Sequence, residues 1–366
     1  MTRDDAKHSP ATVVGSEPAG DAWMTAMRRG DFATAWSIAD DVLAARLARG
    51  ETCWHLPRHQ QWLWTGAPLE GRHVLVHCYH GLGDTLQFVR FARALRRRAA
   101  RVTLWVQPAL LPLVATAPGV DAVIPLGDGA PGIARDVDIE SMELSHALRI
   151  RPDRLADTVP YLVPPPRDPK LPPASDRRRI GFVWRAGGWD PARSVPTAAV
   201  AALFDRLAKN DHIEAFSLQR GLPADETQNL RATDIGTDDV CLTAARMRAL
   251  DLVVSVDTMA AHLAGALGVP CVTLLREACD WRWGDTGERT PWYSSMRLLR
   301  TPPGGDWADV ITTLEQLLHP STVGRPTEAV PEQTSGGHVG QRHLPPCPSA
   351  HAHPRGRDRS DDIRTT

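Results

Sequence analysis

The chain has 366 residues, 42% of them hydrophobic and 23% charged, with a formal net charge of −1. That supplies apolar material for about two ordinary domains and excludes a global pull toward nucleic acid or an anionic membrane. No uncharged apolar run is long enough to span a bilayer, because the longest candidate, 251–275, is broken by Asp257, His262 and Gly268-Val269-Pro270.

In chain order, residues 1–20 are predicted to be a disordered lead, and their charged start, MTRDDAKHSP, has no apolar stretch of the secretory kind. Over 21–50, Ala22, Met24, Ala26 and Met27, then Phe32, Ala35, Ile38 and Val42, recur at helical spacing around a Gly30-Asp31 turn. This predicts one helical hairpin of tetratricopeptide type, which cannot bury its own face and is expected to pack on the domain C-terminal to it or to be the remnant of a longer array. From 70 to 163 the pattern alternates: strands at 73–79, 101–107 and 120–126, helices at 84–98 and 108–117, then DVDIESMELSHALRI at 136–150. The Pro-rich run 160–176 places a semi-rigid linker at 164–178. A second series fills 179–318, with strands at 179–184, 212–218, 251–256 and 270–275. Its helices are expected at 197–208, 241–249 and 259–267, with a closing helix at 304–318 capped by Asp306. Residues 320–366 are rich in Pro, Gly, Ser, His and Arg and are predicted to be disordered.

The implied fold class is α/β: two Rossmann-like parallel-sheet domains facing a cleft, preceded by a short helical hairpin. Open parallel sheets bind ligands outside the carboxyl ends of their strands, so the residues there matter most.

Three such ends carry chemistry. In HCYHGLGDTLQFVRF (77–91), Gly81 and Gly83 permit a tight turn and close backbone approach, and Asp84 stands at the mouth of the next helix. It is a helix cap or a catalytic base. In DLVVSVDTMAAHLAGALGVPCVTLL (251–275), an apolar strand ends at Asp257-Thr258, with Thr258 a natural N-cap. The amides of Met259 and Ala260 then form an anion site, with His262 one turn in. The bland alternative is a capped, buried strand–helix unit with a satisfied histidine. In GFVWRAGGWDPARSVP (181–196), Arg185 and Arg193 sit on a Gly-rich loop suited to a leaving phosphate, unless Arg193 merely pairs with Asp190. Gln219 ends the following strand as a base or ribose contact. Aromatics crowd DWRWGD (280–285) and PWYSSMR (291–297), closing over a ring or filling gaps.

These stretches together, in this order, resemble glycosyltransferase family 9, the ADP-heptose:lipopolysaccharide heptosyltransferases, in the variant fused to tetratricopeptide repeats. The resemblance spans 70–318. It implies a bacterial enzyme of GT-B fold and an inverting, metal-independent transfer needing no cofactor. The implied donor is a nucleotide-diphosphate sugar like ADP-heptose, and the acceptor is a glycan or a lipid-linked glycan, as in lipopolysaccharide biosynthesis. By position, Asp84 beside Gly83 matches the proposed general base. Asp257, Thr258, Met259, Ala260 and His262 match the donor-diphosphate motif, with Gln219 on the donor side. Arg193 or Arg185 occupies the region that supplies a cation to the leaving group. Glu143 and His146 are assigned to the acceptor side, with hinge packing as their alternative. The implied location is the cytoplasm, at the periphery of the inner membrane, with the hairpin as a protein-binding surface.

Two features depart from the family: the phosphate loop has no lysine, and the first α/β domain is short. No Asp-x-Asp cluster stands near either strand end. For His73, His77 and His80 no Cys or carboxylate completes a metal set except Asp84, and the arginines at 93, 96, 97, 98 and 101 read as a solvated helix end rather than a nucleic-acid surface. The six cysteines form no CxxC pair, which suits a reducing compartment. A dinucleotide-dependent oxidoreductase is disfavoured, since the third fingerprint glycine and the ribose-holding acid are absent. A catalytically inactive sugar-nucleotide-binding scaffold is the remaining rival.

Overall fold

The computed structural model describes residues 17–318 apart from 156–157, 189, 222–225 and 227–229. The expected disordered tail, and the lead up to residue 16, lie outside the described residues. The end of that lead is helical instead: α1 runs Glu17–Arg28. A proline in a first helical turn loses nothing, because its missing N–H has no partner there anyway.

After Gly30, in the left-handed region at φ 73°, α2 runs Phe32–Arg49. Asp31 caps it by accepting from Thr34 N at 3.1 Å, and Gly50 ends it at φ 63°. The hairpin buries Ala26, Met27, Phe32, Ala35 and Trp36, which join the same apolar cluster as the layers that follow.

The first α/β layer holds β1 (His73–Cys78), β2 (Arg101–Val106), β3 (Ala122–Pro125) and β4 (Val137–Glu140). They are all parallel, in the order β3-β2-β1-β4. Between them lie α3 (Leu82–Phe88), α4 (Ala92–Arg96) and the single-turn α5 (Leu111–Val114), and α6 (Leu144–Ala147) follows β4. The helix expected at 84–98 therefore starts two residues early, at Leu82, and is interrupted by a 3-10 turn at Val89–Phe91. The start is set by Asp84 itself, whose carboxylate reaches back to the Gly81 N–H at 3.0 Å.

The second layer is a six-stranded parallel sheet ordered β10-β9-β8-β5-β6-β7. Its strands are β5 (Arg178–Val183), β6 (Ile213–Ser217), β7 (Thr233–Asp234), β8 (Leu252–Val256), β9 (Cys271–Leu275) and β10 (Met296–Arg300). Its helices are α7 (Thr197–Leu207), α8 (Val240–Arg248), α9 (Met259–Leu267) and α10 (Trp307–Leu318). β8 and β9 are buried along their whole length, as parallel strands covered on both faces must be. Two parallel sheets in α/β layers behind a helical hairpin is the expected fold class, and the strands β4, β7 and β10 extend it.

One apolar body joins the two layers. Leu86 and Phe88 of α3, Ala260 and Leu263 of α9, Tyr161 and Trp292 belong to the same buried cluster. Tyr161, between the layers in sequence, donates its hydroxyl to Leu86 O at 2.8 Å and its N–H to Ala266 O at 3.0 Å. A second core, including Phe204, Val254 and Leu314, lies behind the second sheet.

The hairpin touches both layers. Trp23 packs edge-on to Trp281 at 5.1 Å and Phe32 lies 5.9 Å from Trp292, while Arg28 donates to Cys279 O at 2.9 Å. On the other side Trp36 Nε1 donates to Ile150 O at 2.9 Å. Among the described residues no helix is long and apolar enough to cross a membrane.

Candidate active site between the two sheets

β1 leads into Gly81-Leu82-Gly83-Asp84 and β8 is followed by Asp257-Thr258, so the helices α3 and α9 both start from carboxyl edges. They meet there. A Cβ on Gly83 would lie 2.8 Å from His262 Cδ2 and 3.5 Å from Met259 Cα, so the glycine is required by the approach of α9.

Asp84 is fixed by two donors. Its Oδ2 accepts from Gly81 N, and its Oδ1 accepts from Arg282 Nη2. Arg282 sits in the 3-10 turn Trp281–Trp283, which Asp280 caps. Its guanidinium also donates to Asp280 Oδ1 at 2.9 Å and to Gln87 Oε1 at 2.7 Å, and lies over the Trp281 ring at 4.6 Å. Burial opposes its charge, but Asp280 and Asp84 more than offset that and hold its pKa above the usual value. One buried cation therefore ties Asp84 of the first layer to Asp280 of the second. Burial pushes Asp280 up, yet the Arg282 charge brings it below the usual carboxylate range.

Thr258 is the N-cap of α9, accepting from Ala260 N at 3.3 Å. Asp257 beside it is 7% exposed, and burial, then the charge of Asp280, raise its pKa despite Arg193. Arg193 Nη1 donates to Asp257 O at 2.9 Å and lies 3.7 Å from Asp257 Oδ2. A cavity of about 250 Å³ opens here, walled by Asp190, Arg193, Asp257, Arg276, Asp280 and Trp307 among others. Of the two arginines singled out in the sequence, Arg193 is the one at this edge. Arg185 is held elsewhere, 3.2 Å from Glu226.

Four of the side chains singled out in the sequence are engaged within the protein. His262 faces other side chains. It is buried, stacks on Trp283 at 5.3 Å, and shares a hydrogen bond of 2.9 Å with the Tyr293 hydroxyl. Burial and the nearby Arg282 lower its pKa to about 3, so it is a neutral packing group. Gln219 spends its amide oxygen on the N–H groups of Trp184 and Arg185, at 3.0 and 2.8 Å, and so shapes the loop after β5. Glu143 and His146 are not on the cleft. Glu143 accepts from the N–H groups of Leu63, Trp64 and Glu140, and His146 meets Asp40 of the hairpin at 2.9 Å between the rings of Trp36 and Trp64. Both side chains are thus engaged on the side of the first layer that meets the hairpin.

Two residues that the sequence pattern does not single out belong to the site. Arg282 is visible as the cation inside Asp280-Trp-Arg-Trp, but its partners are not. Glu140, at the end of β4, is buried, accepts from Ser141 Oγ at 2.7 Å and Met142 N at 2.8 Å, and lies 3.6 Å from His80 Nε2. Burial above all, with repulsion from Glu143 and Asp84, raises its pKa to about 8. The unfolded chain titrates this carboxyl at about 4.3. Its contribution to stability is thus complete below that pH and is lost as pH rises toward about 8. Melting curves of wild type and Glu140→Gln are expected to diverge over that window, the wild type losing on the order of a few kcal/mol more. Parallel curves would mean that Glu140 is ionised throughout.

Among the described residues no group of three His, Cys, Asp or Glu side chains could hold a metal ion. No protein-family model and no curated protein matches the chain. Among solved structures it is similar to a glycosyl transferase family 9 protein from Veillonella parvula DSM 2008, at 14% identity over 70% of this chain and 92% of that one, with a TM-score of 0.48. It is similar also to E. coli heptosyltransferase WaaC with ADP-2-deoxy-2-fluoro heptose, at 15% identity over 67% and 98%, TM-score 0.46. E. coli ADP-heptose lps heptosyltransferase II follows at 16% identity over 67% and 95%, TM-score 0.44. Likenesses this remote carry nothing about what this chain binds or does.

Proposed function

We propose that the protein is a GT-B glycosyltransferase that moves a sugar from a nucleotide-diphosphate donor to an acceptor hydroxyl, inverting and without a metal. The observation that carries this reading is the pairing of opposite chemistries across one junction. A carboxylate, Asp84, stands at the first sheet's carboxyl edge, and a capped helix terminus with Arg193 stands at the second's.

The donor diphosphate is assigned to the N-terminus of α9, where the helix dipole favours anions although the Ala260 amide is taken up by the Thr258 cap, with Arg193 alongside. The acceptor hydroxyl is assigned to Asp84. In the displacement, the acceptor oxygen bonds to the anomeric carbon as the bond to the diphosphate oxygen breaks, and Asp84 takes the hydroxyl proton. Asp84 is equipped for this. Each of its oxygens accepts one donor, and a carboxylate has about four lone-pair positions, so capacity is left while Arg282 fixes its direction. By the sequence resemblance the sugar is heptose-like, the nucleotide ADP-like, the acceptor a glycan or lipid-linked glycan, and the setting the cytoplasmic side of the inner membrane.

The test is a thermal-shift panel of ADP-, UDP-, GDP- and CMP-linked sugars, with and without Mg²⁺. A donor at about a hundred times its dissociation constant stabilises by about 2.7 kcal/mol. Stabilisation by one nucleotide class, unaffected by Mg²⁺, is expected. A flat panel on folded protein would favour the inactive-scaffold reading. Thr258→Ala removes the cap that presents the α9 amides and is expected to weaken that donor about three- to tenfold, of the order of a lost cap. Unchanged affinity would move the diphosphate away from α9.

A further inference from the structure

We infer that Arg276 is a second diphosphate-binding cation of this site, the one that answers the charge appearing on the leaving group. The inference rests on the donor-site reading above.

β8 and β9 are parallel neighbours in which Val256 pairs with Leu274. Asp257-Thr258 and Leu275-Arg276 therefore leave the sheet side by side, and Arg276 lines the same cavity as Arg193, Asp257 and Asp280. The other arginines around it are engaged. Arg282 holds Asp84, Asp280 and Gln87, Arg185 holds Glu226, and Arg28 holds Asp285 and Cys279 O. Arg300 donates to Cys279 Sγ at 3.0 Å and to Gly287 O at 3.2 Å. Arg276 is exposed, and among the described residues it makes no hydrogen bond or ion pair. Arg193 also keeps a donor in reserve, since its Nε is buried without a hydrogen-bond partner. The cavity thus presents one fixed guanidinium and one uncommitted one.

The chemistry uses that difference. Breaking the sugar–oxygen bond leaves its electron pair on the diphosphate, which gains one negative charge while the acceptor proton goes to Asp84. A guanidinium free to move can close on the oxygen where that charge appears, a role that the fixed Arg193 fills only in place. Arg276 should therefore matter for the terminal phosphate and little for the first one.

The experiment is calorimetric titration of ADP, UDP and GDP, each with its monophosphate, into wild type, Arg276→Gln and Arg276→Lys. For the nucleotide that wild type binds, Arg276→Gln is expected to weaken the diphosphate about tenfold, the size of one charge-assisted hydrogen bond, and the monophosphate by less than about threefold. Arg276→Lys should recover most of the loss. An unchanged diphosphate affinity, or equal losses for both nucleotides, overturns the assignment of Arg276 alone. Wild type binding none of the diphosphates overturns the donor site itself, and Arg276 with it.

Discussion

Arg282→Leu is expected to destabilise the protein by about 3–5 kcal/mol, the cost of removing one partner from a buried ionic network. Arg282 is 9% exposed and donates to Asp84, Asp280 and Gln87. Leucine would leave two carboxylates facing each other without a cation and an amide oxygen without a donor. The carboxylates belong to different layers, so their repulsion acts across the junction that holds the site. Urea midpoints of purified wild type and variant measure the loss. Adding Asp84→Asn to Arg282→Leu removes one stranded charge and should recover part of it. A loss below about 1 kcal/mol would show that the cluster is hydrated and does not tie the layers together.

Asp84→Asn is the variant with the largest expected effect on activity. Asparagine keeps an oxygen for one of the two donors but cannot take a proton, so transfer should fall by about 10³-fold or more, within the range of general-base catalysis. Donor affinity should stay within about threefold, because the diphosphate is assigned to the other layer. The steady-state rate and the donor dissociation constant separate these effects. Rate and affinity falling together would mean that Asp84 holds the donor. A retained rate would place the base elsewhere, with His80 and Glu140, 3.6 Å apart at the same strand edges, the next groups to test.

The parts of this site that are legible in the sequence are the local ones. A strand leaving through Gly81-Leu82-Gly83-Asp84 and another ending at Asp257-Thr258 declare themselves within a dozen residues, because apolar runs, glycines and caps act on near neighbours. Arg282 does not, because its partners Asp84 and Gln87 are 198 and 195 residues away. His262 misleads for the same reason. One turn into a helix it has the position of a ligand, but the missing side chain of Gly83 and the arrival of Trp283 turn its environment into a core. Glu140 and Glu143 are spaced as a capping pair, and a carboxylate that accepts three backbone N–H groups has little left for a sugar. β10 escapes because Met296-Arg-Leu-Leu-Arg puts arginines among its apolar residues, the composition of an edge strand.

The most direct test of the whole account is ³¹P NMR of a reaction mixture in EDTA, containing the nucleotide sugar that stabilises the protein and a glycan acceptor. The account predicts that wild type releases free nucleoside diphosphate in step with glycosylated acceptor, and that Asp84→Asn, still bound to the donor, releases none. Release that requires added Mg²⁺, equal release by the two proteins, or no release from a donor that binds would contradict it.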